Sequence, residues 1–318
     1  MGFAMNAVSI LAVVFICLLG VFALAALAMF VIDRTQTQDA IRRNYPVLGR
    51  FRHLFSSLGE FFRQYFFAMD REELPFNRAQ REWIARACAG VTNTVAFGST
   101  RNTAVPGTPI FVNAAFPPLN DQYASSEPML IGPTARVPYN APSFFNISGM
   151  SYGALSRPAV TALSRGAREA GIWLNTGEGG LSPFHLDGGC DVVFQIGTAK
   201  YGVRDAEGNL SDARVKELAE IPQVKMFELK LAQGAKPGKG GILPAAKVNA
   251  EISEIRGIPE GTASISPNRH PEIASYDDLL NMVARVRQVS GKPVGIKTVA
   301  GSEVALREMF LNFAARPD

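Results

Sequence analysis

Three strand-like runs within about a hundred residues each end in a glycine-rich loop, and this repetition leaves few architectures open. The segments are Ile147–Ser156 (ISGMSYGALS), Leu174–Gly180 (LNTGEGG) and Leu229–Pro244 (LKLAQGAKPGKGGILP), the last continuing the apolar run Val224–Leu231. Glycine has no Cβ, tolerates φ > 0 and leaves backbone N–H groups open to an anionic or polar ligand. The third segment adds Lys230, Gln233, Lys236 and Lys239, so positive charge converges on the same loop. It is not a P-loop, because no G-x-x-x-x-G-K-S/T can be read in it. By composition alone it also fits a flexible basic surface loop.

The flanking pattern extends the plan. Strand-like runs are Phe144–Ser148, Ile172–Asn175, Val192–Gly197, Val224–Leu231, Thr262–Ser266 and Val294–Val299. Helix-like runs are Pro158–Ala170, Ala245–Arg256, Tyr276–Val289 and Glu303–Ala314, with a shorter one at Ser211–Ala219. Ser275 is placed to cap the third, with Asp277 and Asp278 in its first turn. This alternation predicts an α/β fold with parallel strands, whose loops in a barrel converge on one ligand-binding face. From Phe144 to Asp318 there are about 175 residues, against roughly 250 for a complete barrel. The expectation is therefore an incomplete (β/α)8 TIM-type barrel with about five or six of eight strands. On this reading the barrel is truncated, in either a fragment or the product of a frameshifted gene, and its open sheet edge lowers solubility.

A transmembrane helix and a helical pre-barrel segment are predicted ahead of it. Ala7–Ile32 is uncharged and almost wholly apolar, about 26 residues and enough to span a bilayer. It lacks the positive leader and small-residue cleavage site of a secretory signal. Arg34, Arg42, Arg43, Arg50 and Arg52 follow it. The positive-inside tendency then makes it a single-pass anchor of the inner (cytoplasmic) membrane, with the C-terminal domain in the cytoplasm. In Phe51–Phe67 the residues Phe51, Leu54, Phe55, Leu58, Phe62, Tyr65 and Phe66 recur at helical spacing. That stripe fits either the membrane interface or packing onto the chain's own domain. Arg78–Ala89 reads as a helix with Trp83 and Ile84 facing inward, and 90–143 as an irregular stretch with β-like pieces such as Thr94–Phe97. The division is 1–34 anchor, 35–143 pre-barrel region and 144–318 partial barrel.

A net charge of +4 gives no indication of a nucleic-acid partner. The three cysteines, Cys17, Cys88 and Cys190, are far apart and form no C-x-x-C or Cys/His ligand spacing, so no metal site is expected.

The strings ISGMSYGALS, NTGEGG, QIGTAKYGV, LKLAQGAKPGKGGILP, ISPNRH and GIKTV resemble, in order and spacing, the FMN-binding synthase domain of the glutamate synthases. Arg63–Trp83 resembles the pre-barrel segment of their stand-alone, membrane-anchored subgroup. The resemblance runs from about residue 40 to the C-terminus. It implies FMN as cofactor, with Gly149, Met150 and Ser151 along the flavin ring and Asn175, Gln195 and Lys297 at further flavin-side positions. Lys297, near a strand end, also suits the cation that a flavin needs where negative charge develops on reduction. Lys230, Gln233 and Lys236 complement the carboxylates of a 2-oxoglutarate-like acid. Glu178 matches the family's acidic loop residue, placed to gate ammonia or accept a proton. These four form the expected catalytic set. His270 reads as structural, and His53 and His185 carry no pattern.

The reaction implied is reductive amination of 2-oxoglutarate to glutamate through 2-iminoglutarate, with hydride from reduced FMN. Glutamate synthases usually carry an iron–sulfur cluster beyond the corresponding end of this chain, and the cysteines here do not support one. No N-terminal nucleophilic cysteine for glutamine hydrolysis is present, so the reaction needs free ammonia, an amine or an amidotransferase partner, together with an electron donor. Two departures stand out. Phe194 occupies a position usually held by Lys, and Lys200 one held by Arg, which Lys cannot replace as a bidentate fork. They open a second reading, an FMN enzyme acting on an N-substituted glutamate or another amine. The reading from another class is an inactive, truncated membrane protein that binds no flavin.

Overall fold

The computed structural model describes residues 2–316 except positions 68, 70, 93–100, 111, 113, 125–126 and 235–239. The chain divides into two compact units, Met1–Pro117 and Pro118–Asp318.

The first unit is helical: α1 (Gly2–Thr35), α2 (Ala40–Asn44), α3 (Leu48–Phe62), which runs on as a π-turn Arg63–Phe67, and α4 (Arg78–Cys88). Within α1, Ser9–Thr35 is long and apolar enough to cross a membrane. Near its C-terminal end Asp33 is fully buried and accepts hydrogen bonds from Arg42 Nη2 (2.6 Å), Arg50 Nη2 (2.7 Å) and the Val47 amide (3.0 Å). The bends between α1, α2 and α3 thus close on one carboxylate. A buried charge is tolerated where it is paired and hydrogen-bonded. Asn77 and Gln80 form a capping box that starts α4. Trp83 and Ile84 do not face inward as expected. Both are exposed and α4 buries no residue, because no described element covers it. The β-like piece Thr94–Phe97 lies outside the described residues.

The second unit opens with an antiparallel pair, β1 (Met129–Ile131) and β2 (Tyr139–Ala141). Its centre is a parallel sheet of β3 (Leu174–Asn175), β4 (Val192–Ile196), β5 (Val224–Lys230) and β8 (Val294–Lys297), in that order. Ile147 bridges Leu174 in parallel, which adds the first predicted strand position at the edge as a single pair. Helices α5 (Arg157–Ala170), α6 (Pro183–Leu186), α7 (Asp212–Glu220) and α9 (Tyr276–Ser290) connect successive positions, and α10 (Glu303–Ala315) follows β8. Ser211 and Ser275 cap α7 and α9 by accepting from the Arg214 and Asp278 amides. The parallel βα pattern fits a TIM-type fold.

One predicted strand lies elsewhere. Thr262–Ser266 contributes only β7 (Ser264–Ile265), which pairs antiparallel with β6 (Ile242–Leu243) outside the parallel sheet, so β5 pairs directly with β8. The helix expected over Ala245–Arg256 is split into a 3-10 turn, Ala245–Lys247, and α8 (Ala250–Arg256), because the Asn249 side chain caps a new start on the Ile252 amide. β6, α8 and β7 form an insertion between two neighbouring strands.

Side chains alternate along each strand. Val192, Phe194, Ile196, Phe227 and Leu229 turn to the helices and pack with Ala167, Val215, Leu279, Met282 and Val286 in the main core. The alternate positions carry Val193 and Met226, packed with Tyr139 and Ala141, toward the start of the strands, and the polar residues toward their carboxyl ends.

Candidate active site at the carboxyl ends of the parallel strands

Parallel strands bring all their carboxyl ends to one edge, and paired residues in neighbouring strands point to the same face. Gln195 pairs with Glu228 and Lys230 with Lys297, so the polar positions form a ladder. Glu228 accepts from Asn175 Nδ2 (2.9 Å) and Gln195 Nε2 (2.6 Å), and Asn175 and Gln195 are buried. Burying two amides is affordable because their donors are paired. With Nε2 committed to Glu228, Gln195 presents Oε1 as an acceptor.

Two residues on from Glu228, Lys230 Nζ donates to Glu178 Oε2 (3.0 Å) and Gln233 Oε1 (2.9 Å). Gln233 Nε2 donates in turn to Glu178 Oε2 and to Thr198 Oγ1 (3.3 Å). Three of the four expected catalytic residues therefore meet, Glu178 from the loop after β3 and Lys230 and Gln233 from the end of β5 and its loop. The fourth, Lys236, lies outside the described residues, as does Lys239. A lysine has three donors, and two of those on Lys230 are taken by described residues. The Lys297 side chain makes no hydrogen bond or ion pair with any described residue.

The loops are held by close backbone contact. Asn175 donates its amide to the Ile147 carbonyl, and the Met150 amide donates to the Asn175 carbonyl (both 3.0 Å). A Cβ on Gly149 would lie 3.1 Å from Gly177 Cα and 3.2 Å from Gln195 Nε2. Gly177 has φ +65°, and a Cβ there would overlap Ser151. Gly149, Met150 and Ser151 thus rest directly on the Asn175–Gln195 pair. A Cβ on Gly197 would lie 2.5 Å from Glu178 Cβ, so the Glu178 position depends on that glycine.

Several supporting residues escaped the sequence reading. Glu228 had a signal, a second charge two residues before Lys230 in an otherwise apolar strand. His185 had none. Its Nδ1 accepts from the Ser182 amide (3.1 Å), so Nε2 carries the proton and donates to the Met150 carbonyl (2.8 Å). His270 likewise donates Nε2–H to the Lys230 carbonyl (2.9 Å). Burial pushes both imidazoles below the ordinary histidine range and keeps them neutral. Arg256 of α8, also buried, donates to Ser264 Oγ (2.7 Å) and the Tyr152 carbonyl (3.2 Å), tying the insertion to the first glycine loop.

The two departures read differently in three dimensions. Phe194 does not shape the ligand face. It is fully buried on the helix side of β4, with its ring centroid 5.8 Å from that of Phe227. The reason is the strand period, which turns residue 194 away when 195 points to the site. Lys200 is buried and ion-paired with Glu272 (2.9 Å).

Residues 122–317 match the family model for the conserved region in glutamate synthase, more than half of the chain. The chain belongs to the glutamate synthase family. A glutamate synthase large subunit-like protein of Bacillus subtilis, YerD, is 37% identical over 321 aligned positions, covering 89% of this chain and 61% of that protein. An archaeal-type glutamate synthase (NADPH) of Thermotoga maritima is 38% identical over 160 positions, 50% of this chain and 29% of that one. A glutamate synthase large subunit-like protein of Rhizobium meliloti is 32% identical over 165 positions, 51% and 34% respectively. The chain spans less than two thirds of the length of each of these relatives.

Proposed function

We propose that this chain carries a glutamate synthase-type oxidoreductase site that uses FMN in the reductive amination of 2-oxoglutarate. The observation that carries the reading is the Glu178–Lys230–Gln233 cluster beside the Asn175–Gln195–Glu228 cluster, on one polar face at the carboxyl ends of parallel strands. The donor set suits a flavin's polar ring edge: the backbone of Gly149–Ser151, the Gln195 acceptor, and the cation of Lys297. A phosphate cradle is not among these groups. FMN, when bound, supplies the hydride chemistry.

The chain's own residues have separable tasks. Glu228 fixes both amides, so that Gln195 faces a ligand with an acceptor. Lys230 offers its remaining donor to a substrate carboxylate, a charge-assisted bond. Glu178 holds that ammonium in place and is the nearest carboxylate to take a proton from incoming ammonia or an amine. Gln233 ties both to Thr198. An electron donor, and either free ammonia or an amidotransferase, complete the reaction.

The same reading divides the chain into an anchor (1–34), a pre-barrel region (35–143) and a partial FMN barrel (144–318). Ser9–Thr35 and the arginines after it support a single-pass helix in the inner membrane with the barrel in the cytoplasm. Strong activity of a periplasm-dependent reporter fused after the helix would reverse that orientation.

The test of function is a flavin spectrum of the purified chain with and without added FMN, followed by turnover of 2-oxoglutarate with ammonia and with methylated amines. Stoichiometric FMN and ammonia-dependent glutamate are expected. A colourless protein that takes up no FMN would sink the proposal, and turnover with methylated amines alone would replace the substrate.

A further inference from the structure

Helix α3 divides cleanly. At about 100° per residue, Leu48, Phe51, Leu54, Phe55, Leu58, Phe61 and Phe62 share one side, and Gly49, Ser56 and Glu60 lie opposite. Arg50 and Arg52 fall at the two borders of the apolar side. Phe61 and Phe62 meet the rings of Phe66 and Phe67 in the π-turn that follows, while nearer the start of the helix the apolar side stays open: Phe51 is 48% exposed, Leu54 52% and Phe55 66%. Over a helix of about 22 Å this is a continuous aromatic and aliphatic strip.

The start of α3 is tied to the end of the apolar helix. Asp33, in the last turn of Ser9–Thr35, takes hydrogen bonds from Arg42, from Arg50 in the first turn of α3, and from the Val47 amide just before it. α3 therefore begins where the apolar length of α1 ends. For a membrane-crossing helix this is the level of the lipid headgroups. Arg50 is held by Asp33, so Arg52 is the cation at the border. An exposed strip of Phe and Leu edged by such an arginine is the composition that lies in that plane, with ring and alkyl groups among the acyl chains and the Arg52 guanidinium at the phosphates.

We infer that α3 is an in-plane helix of the membrane surface, docked by its Phe51–Phe55–Phe62 side on anionic lipid. This rests on the reading of α1 as the anchor. The two readings fail separately.

The full chain is reconstituted into phosphatidylcholine vesicles with and without phosphatidylglycerol, using lipids brominated in the acyl chains. Phe55→Trp and Glu60→Trp are each compared with the parent fluorescence. The signal added by Phe55→Trp is expected to be quenched at least about twofold more than that of Glu60→Trp. Phosphatidylglycerol should deepen the quenching, and Arg52→Gln should reduce that lipid dependence about fivefold. Alkaline carbonate extraction is run on the same samples. Release of the chain would overturn the anchor reading and this inference with it. Retention with Phe55→Trp quenched no more than Glu60→Trp would overturn the surface assignment alone. Cross-linking then shows whether a second copy or the chain's own barrel covers the strip.

Discussion

The two faces of the parallel sheet are built from the same strands and do opposite work. On the helix side, Phe194, Phe227, Ile196 and Leu229 are fully buried among apolar neighbours. On the other, Asn175, Gln195, Glu228 and Lys230 are paired with one another and with loop residues. The apolar face removes area from water and stabilises the fold. The polar face contributes little net stability, because its hydrogen bonds replace those to water. What it supplies is fixed orientation, with each donor and acceptor assigned.

This contrast predicts a separation of effects. Phe194→Ala should cost about 3–5 kcal/mol in denaturant unfolding, with substrate preference unchanged in any protein that remains folded. A changed preference with little loss of stability would put Phe194 back in the pocket. Gly197→Ala brings a methyl onto Glu178 and should cost about 1–3 kcal/mol while abolishing turnover. Full activity in that variant would remove Glu178 from the site. Lys230→Met should raise the KM for 2-oxoglutarate about 10–100-fold, the worth of one charge-assisted hydrogen bond. Combined with Glu178→Gln, its effect on stability should be clearly non-additive. Additive effects would mean that the 3.0 Å pair is not coupled.

The smallest effect is one of pH. His185 and His270 are held below the ordinary histidine range by burial. Below that range the unfolded chain takes up protons that the native imidazoles refuse, so stability falls as the pH drops. The slope is at most about 1.4 kcal/mol per pH unit for each histidine. His185→Gln should flatten the unfolding-versus-pH curve between neutral and mildly acidic pH. An unchanged slope would show that His185 does not titrate on unfolding.

Much of the polar face was legible in advance. The glycine loops pointed to close backbone approach, and Gly149, Gly177 and Glu178 sit where such approach occurs. Lys230, Gln233 and Glu178 were assigned to one site and do meet. Glu228 is not marked by any motif, and only its pairing with Asn175 and Gln195 shows its place. The structural reading of His270 agrees with its bond to the Lys230 carbonyl, whereas His185 leaves no pattern in the sequence, since it acts through a backbone carbonyl distant in the chain. Phe194 departs from its expected place in the pocket because a position in a motif does not give the direction of a side chain. Thr262–Ser266 was misassigned because strand propensity does not specify a partner.

The sequence alone determined the element types, the parallel βα plan and the family. These follow from local periodicity, from turn chemistry, and from long motifs that leave little freedom. Only the tertiary structure decided which strands neighbour one another, which side of β4 faces the ligand edge, and which charges pair. Those depend on register and on contacts between distant residues, where a shift of one position exchanges the two faces of a strand.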